Sequence, residues 1–369
     1  MTLYFDVTQY ANQPNASGIQ RVLLQLAVEC GDHDRFVVYE GDQILILTPS
    51  VVEQALRHTF GGASTDVSVI EFFRARSLGV MMPEELIASQ PSYVIAELSY
   101  RADLLRWWAR LLETSPDRLG AIFYDAAPEN SRQLFGSPPA PGASAYFRLI
   151  ARIPKVACIS YGAREELAHL GNRDPATIDV VPLGGDHLNT VVSDDARRFV
   201  VIGDLKAKKR VDIALAAFQM VADEIDHELV ILGRAIVGED SISQAVSSAV
   251  GPRVRWLKGV SDVVLSDALS GATASIFVAT SEGFGLPVLE SIHAGVPVIV
   301  DEALPALAFL DPGGQIRLGE VTVDSVAQAM RVLGGPDGSR FRQLARETTV
   351  HSWAKYCEDL RNVFEGPLK

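Results

Sequence analysis

Short apolar runs alternate with amphipathic stretches along the whole chain. Leu3–Val7, Arg35–Tyr39, Ser92–Ala96, Gly120–Phe123 and Val156–Ile159 each have the length and side chains of a buried strand. Between them lie helical patterns; Ile19–Cys30, for example, sets Val22, Leu23, Leu26 and Ala27 on one side. The pattern restarts near residue 199. Phe199–Ile202 and Glu228–Leu232 read as strands, and Val211–Ile225 between them reads as a helix carrying Ile213, Leu215, Ala216, Phe218 and Val221. This alternation predicts an α/β protein whose parallel sheets are covered by helices on both faces. The restart predicts two Rossmann-like domains, residues 1–187 and 188–350. Pro182–His187 and the polar stretch to Arg198 form the predicted hinge. Trp353, Tyr356, Leu360 and Val363 predict a last helix within 351–369. Pro138–Gly142 predicts a surface loop. Ligands of open α/β sheets bind beyond the carboxyl ends of the strands, so chemistry is expected in the cleft between the two sheets.

Composition narrows the function. A chain of 369 residues, 48% hydrophobic and 21% charged, can build two cores. A net charge of −13 excludes a general nucleic-acid binder, which needs a basic face. Lysine is scarce and uneven: there are seven, the first is Lys155, and Lys206, Lys208 and Lys209 crowd into one stretch that suggests an anion. Cys30, Cys158 and Cys357 lack metal-ligand spacing and read as free thiols in a reducing compartment. No leader peptide and no membrane-spanning run is recognisable, so a cytoplasmic protein is expected, with contact to the inner face of the membrane left open. Arg101–Leu112 carries Arg, paired Trp and Leu; it reads either as a helix covering a sheet or as one lying on a membrane surface.

Residues 282–290, Glu-Gly-Phe-Gly-Leu-Pro-Val-Leu-Glu, are the most informative stretch. Ala274–Val278 before them reads as a buried strand. Pro287 suits a first helical turn, and Gly295 with Pro297 would end the helix. A strand therefore feeds a Gly-rich turn that opens a helix, where free amides make an anion site that phosphate usually fills. Glu282 and Glu290 are awkward beside phosphate unless they accept hydrogen bonds from neutral hydroxyls, such as those of a sugar and a ribose. The residues thus describe a nucleotide-sugar pocket.

This stretch resembles the paired-glutamate motif of retaining glycosyltransferases of family 4, of the bacterial polysaccharide type, which have the two-domain GT-B fold. Three further segments fit. Val201–Arg210 is similar to the family's phosphate-gripping segment, with Lys209 at the lysine position and Lys208 where arginine is usual; by itself it also reads as a solvated basic turn. Asp6-Val7-Thr8 followed by Gly18-Ile19-Gln20-Arg21-Val22 matches the family's first loop, although a plain helix start explains Gly18 equally. Ile122–Pro128 stands where relatives carry His-Asp; this chain has Tyr124 and keeps Asp125. Asp32-His33-Asp34 formally spells a metal motif but lies away from the phosphate features and reads as a loop. His187, after Gly184-Gly185-Asp186, reads as a turn residue or as one reaching the cleft.

The resemblance implies a hexosyltransferase that keeps the anomeric configuration and needs neither cofactor nor metal, its co-substrate being a nucleotide-diphosphate sugar. Asp125, Lys209 and Glu282 would be catalytic. Gly18, Arg21, Lys208, Lys209, Gly259, Val260, Glu282, Phe284, Gly285, Leu286 and Glu290 would bind the donor. Within that set Glu282 would meet the sugar, Glu290 the ribose, and backbone around Trp256–Val260 the base. The acceptor would be a hydroxyl of a glycan or of a lipid-linked acceptor. GDP-mannose is favoured by the polysaccharide type, while dTDP-rhamnose or a UDP-sugar fits the residues as well. A catalytically silent GT-B partner subunit, suggested by Tyr124, and a sugar-nucleotide epimerase are the alternatives. In the family the last helix packs back on the first domain.

Overall fold

A computed structural model describes residues 2–61, 68–129, 138–190, 192–193, 195–238, 240–258 and 261–367. The chain divides into two compact units, Met1–Leu183 with Trp353–Lys369, and Gly184–Ser352. The change of unit falls at Gly184, four residues before the expected start at 188.

The first unit is built on an eight-stranded sheet of order β4-β3-β2-β1-β5-β6-β7-β8. Its strands are β1 (Leu3–Asp6), β2 (Arg35–Tyr39), β3 (Ile44–Leu47), β4 (Gly79–Met81), β5 (Ser92–Ile95), β6 (Leu119–Phe123), β7 (Lys155–Cys158) and β8 (Asp179–Val180). From β2 to β8 all neighbours are parallel, as expected. The edge is not: β3 runs antiparallel to β2, and β4 antiparallel to β3. For β3 the cause is a tight turn at Glu40–Gln43. Gly41 takes φ +89° there, and the Glu40 amide donates to the Gln43 carbonyl at 2.9 Å. Two strands joined so closely can only pair antiparallel.

The last helix, Trp353–Glu365, belongs to this unit. Its Arg361 pairs with Asp34, a buried carboxylate that also accepts the Leu3 amide at 3.0 Å. Lys155 donates to the carbonyls of Phe364 and Gly366 at 2.9 and 2.7 Å. Gly120 leaves room for the Phe364 ring, since a Cβ there would stand 2.5 Å from it. The apparent metal motif Asp32–Asp34 is therefore a loop whose second aspartate fastens a helix.

The helix Ala102–Thr114 corrects the reading of 101–112 as a membrane contact. Trp107 and Trp108 are only 2% and 1% exposed. Trp107 donates to the Tyr93 hydroxyl at 3.1 Å and Trp108 to Asp6 at 2.8 Å. Leu104, Leu111 and Leu112 are buried with them. The sheet already takes the apolar face, and solvent meets Arg106, Arg110 and Glu113. No helix among the described residues is long and apolar enough to cross a membrane.

The second unit carries a six-stranded, all-parallel sheet of order β11-β10-β9-β12-β13-β14. The strands are β9 (Arg198–Ile202), β10 (Glu228–Leu232), β11 (Val254–Leu257), β12 (Ala272–Phe277), β13 (Val298–Asp301) and β14 (Gln315–Leu318). Successive residues feed opposite layers: Phe199 and Val201 pack with Phe218 and Met330, whereas Val200 packs with Val230 and Leu269. Within the unit the order is 3-2-1-4-5-6, the doubly wound order. Chain direction across the sheet reverses between β9 and β12, and such a switch point opens a crevice beyond the strand ends.

Candidate functional site

The two loops leaving that switch point are Gly203–Arg210, after β9, and Val278–Gly285, after β12. They are bonded to each other. The Thr280 amide donates to the Lys208 carbonyl at 2.8 Å, and Lys208 Nζ donates to the Ser281 carbonyl at 3.2 Å. Lys209 crosses over Gly203, where φ is +149° and an added Cβ would lie 3.3 Å from Lys209 Cδ. Its Nζ reaches Glu282 Oε1 at 2.7 Å and lies 4.7 Å from the centre of the Phe277 ring. Lys208 Nζ is 3.8 Å from the same carboxylate oxygen. Burial holds the Lys209 ammonium below its ordinary range, and Glu282 only partly offsets this.

Beyond Glu282 the chain turns through Phe284 and Gly285 into the helix Leu286–His293. Gly285 has φ +115°, with the Leu304 side chain 2.7 Å from where a Cβ would stand, so only glycine fits this turn without strain. No side chain among the described residues caps the helix start. The first amides of an uncapped helix are donors open to an anion. Glu290 lies on the second turn, buried.

Other candidates fall elsewhere. Arg210 has φ +51° and donates to Asp301 at 3.2 Å, so it braces the loop. Asp204 accepts from the Arg234 amide and guanidinium at 2.8–3.1 Å. Burial opposes its ionisation, but these bonds prevail and hold it below the usual carboxylate range. Trp256 donates to the Gly233 carbonyl at 2.9 Å. Gly259 and Val260 lie outside the described residues.

Gly18, Arg21 and Asp125 are in the first unit. Gly18 is exposed at the start of the helix Gly18–Glu29, which Ser17 caps. Arg21, expected at the donor, is buried, and its guanidinium stacks 3.8 Å over the Phe60 ring. Asp125, half-buried beyond β6, accepts the Ala127 amide at 3.0 Å. Tyr124 is buried and donates to the Ala96 carbonyl at 2.8 Å, which makes it part of the core.

Two features had no signal in the sequence. One is the pairing of each motif glutamate with a nitrogen base far along the chain: Glu282 with Lys209, and Glu290 with His187, whose Nε2 is 3.3 Å away. The other is Glu97, beyond β5 at the switch point of the first sheet. It is 2% exposed and accepts the Tyr10 amide at 2.9 Å. Burial pushes its carboxyl up to about 8.

Residues 189–331, which carry this whole crevice, match the family described as glycosyl transferases group 1. Among curated proteins, the chain is similar to the serotype-specific mannosyltransferase WbdA of Escherichia coli, 31% identical over 108 residues. The match covers 28% of this chain and 13% of WbdA. It is also similar to the GDP-mannose-dependent alpha-(1-6)-phosphatidylinositol dimannoside mannosyltransferase of Mycobacterium tuberculosis, 27% identical over 229 residues, 56% of each chain. The chain thus spans only part of the length of these relatives. Among solved structures, Anabaena HepE in complex with UDP and glucose matches over 100% of both chains, with a TM-score of 0.66 at 12% identity. The fold of the chain is GT-B.

Proposed function

We propose that the protein is a hexosyltransferase that moves a sugar from a nucleoside-diphosphate donor to a hydroxyl of a glycan or lipid-linked acceptor, with retention of configuration. The Lys209–Glu282 contact at the switch point of the second sheet carries the reading. A partly desolvated ammonium beside an uncapped helix start suits a diphosphate, and a carboxylate on the same ammonium suits the hydroxyls of the attached sugar. Lys209 and Lys208, with the amides of Phe284, Gly285 and Leu286, would hold the diphosphate and meet the charge that builds as the glycosidic bond breaks. Glu282 would accept from the donor sugar and Glu290 from the ribose. Gly18 and Asp125 are the first unit's candidates for contact with the reacting groups. GDP-mannose is the favoured donor, because the curated relatives named above are mannosyltransferases and one of them is GDP-mannose-dependent.

Calorimetry with GDP-mannose, UDP-glucose and dTDP-rhamnose tests the donor. Glu290→Ala is expected to raise Kd severalfold, by about 1 kcal/mol for one hydrogen bond to an uncharged hydroxyl. Glu282→Ala is expected to lower kcat more than affinity. Unchanged binding and turnover in both variants would sink the assignment. Retention is read from the anomeric configuration of the product. Because lysines supply the positive charge, turnover is expected to survive EDTA; its loss on chelation and return with Mg²⁺ or Mn²⁺ would show that a metal does this work. Tyr124 favours a silent subunit as second reading, and turnover by the purified chain alone removes it.

A further inference from the structure

The antiparallel edge of the first sheet is open. β4 is the end strand, and no strand among the described residues pairs with its outer side. The Leu78 amide donates inward, to the Ile46 carbonyl at 2.8 Å, and Val80 stands opposite Leu45. Amides alternate in direction along a strand, so those of Gly79 and Met81 face outward. Leu78, Val80 and Met82 share one face and are 59%, 55% and 47% exposed. Natural sheets guard such an edge with charges, proline or a bulge. Residues 77–82, Ser-Leu-Gly-Val-Met-Met, contain no charge and no proline, so shortness is what guards this strand.

The order of residues about Val80 says what fits this edge. A second copy of the strand, laid antiparallel about a two-fold axis through Val80, puts Leu78 opposite the partner's Met82 on the same apolar face. Gly79 and the partner's Met81 then face each other with their outward amides and carbonyls. Beyond the strand, Arg76 comes opposite the partner's Glu84, once on each side of the axis. Both side chains are at the surface. The Arg76 guanidinium lies 4.1 Å over the Phe72 ring, and Glu84 is 63% exposed, with one oxygen on Arg110 at 2.9 Å. A slip of one residue would turn the two apolar ridges to opposite faces of the sheet and would part the charges. We propose that β4 is a dimer interface, at which two copies of this chain join their first sheets edge to edge across a two-fold axis at Val80.

The test is sedimentation of the full chain over a concentration series, with circular dichroism to follow the fold. The parent is expected to be a dimer. Val80→Asp, which sets two carboxylates on the axis, is expected to sediment as a folded monomer. Arg76→Glu alone and Glu84→Arg alone are each expected to raise the dimer dissociation constant about tenfold, since each turns both attractive pairs into repulsive ones. The double variant, with the charges exchanged, is expected to return it near the parent's value. If Val80→Asp does not fold, this charge exchange decides. A parent that is monomeric at the top of the series overturns the proposal. So does a dimer that Val80→Asp leaves intact, or a double variant no tighter than either single one. A monomeric parent that co-sediments with phosphatidylglycerol vesicles, and ceases to do so as Val80→Asp, would give this edge to a membrane surface and overturn the proposal as well.

Discussion

At the scale of single residues, Lys209 and Lys206 are close in sequence and unlike in setting. Lys209 is held against Glu282 and Phe277, its side chain 17% exposed, with its proton affinity lowered by burial. Lys206 is half-buried ahead of that turn, its amide donating to the Asp204 carbonyl, and no ring or carboxylate contact of its ammonium is seen among the described residues. Only an interaction that strengthens as charge builds on the leaving diphosphate accelerates the reaction, and a desolvated, fixed ammonium does so more than a solvated one. Lys209→Ala is therefore expected to lose about a hundredfold to a thousandfold in kcat, roughly 3–4 kcal/mol, with the fold intact. Lys206→Ala is expected to lose far less. Steady-state kinetics with circular dichroism of both variants decides it; equal losses would make the segment a mere basic turn. The lowered proton affinity adds a sign. Activity that depends on this ammonium is present at neutral pH and declines, as pH rises, earlier than it would with an ordinary lysine.

At the scale of elements, the loops of the crevice depend on backbone contact that one methyl group would break. Gly233, after β10, has no space for a side chain: a Cβ would stand 1.9 Å from the Gly203 carbonyl oxygen. The Gly203 amide donates to Leu232 at 2.8 Å and the Leu205 amide to Arg234 at 2.9 Å, so the two strand ends are tied where they touch. Gly233→Ala must push Gly203 aside, and Lys209 lies on Gly203. A loss of about 1–3 kcal/mol is expected from overpacking, read as a lowered Tm together with weaker nucleotide binding. Gly18→Ala, with nothing within 4 Å of its Cβ, is expected to melt like the parent. An unchanged Tm for Gly233→Ala would refute the account. The elements themselves were legible in the sequence. Arg35–Tyr39 and Glu228–Leu232 are strands with the expected ends, and the helix after Gly285 starts within one residue of Pro287. Local apolar runs and glycine signals carry that information. What was not legible is which segments meet. The antiparallel edge turns on one hairpin at Gly41, Arg21 turns inward because Phe60 offers a ring, and the Lys209–Glu282 and His187–Glu290 contacts join residues 73 and 103 positions apart. No periodicity encodes such distances.

At the scale of the whole molecule, each unit places carboxylates at the switch point of its sheet, and the two sets are handled differently. In the second unit Glu282 and Glu290 meet nitrogen bases. In the first, Asp6 and Glu97 are buried with neutral donors: Asp6 accepts from Tyr93 and Trp108 at 2.5 and 2.8 Å, and Glu97 accepts from the Tyr10 amide. Burial raises both, Glu97 to about 8, and the Asp6 charge pushes Glu97 further in the same direction. The folded first unit therefore keeps a proton on Glu97 that the unfolded chain releases above the usual carboxylate range. Between that range and about pH 8 the folded state binds more protons than the unfolded one, so stability falls as pH rises through this window and the loss is complete above it. The effect amounts to a few kcal/mol at most, at ~1.4 kcal/mol for each tenfold change in proton affinity. Glu97→Gln carries no titrating proton and keeps an oxygen for the Tyr10 amide. Its melting temperature is expected to match the parent near pH 5, where Glu97 is protonated, and to exceed it near pH 9. The informative quantity is the difference between the two proteins in melts at pH 5, 7 and 9, since Asp6 and every other titrating group contribute alike to both. Two curves that stay parallel across that range would mean that Glu97 is ionised throughout, its charge held by the Gln9 and Tyr10 amides and the Gln20 side chain that surround it.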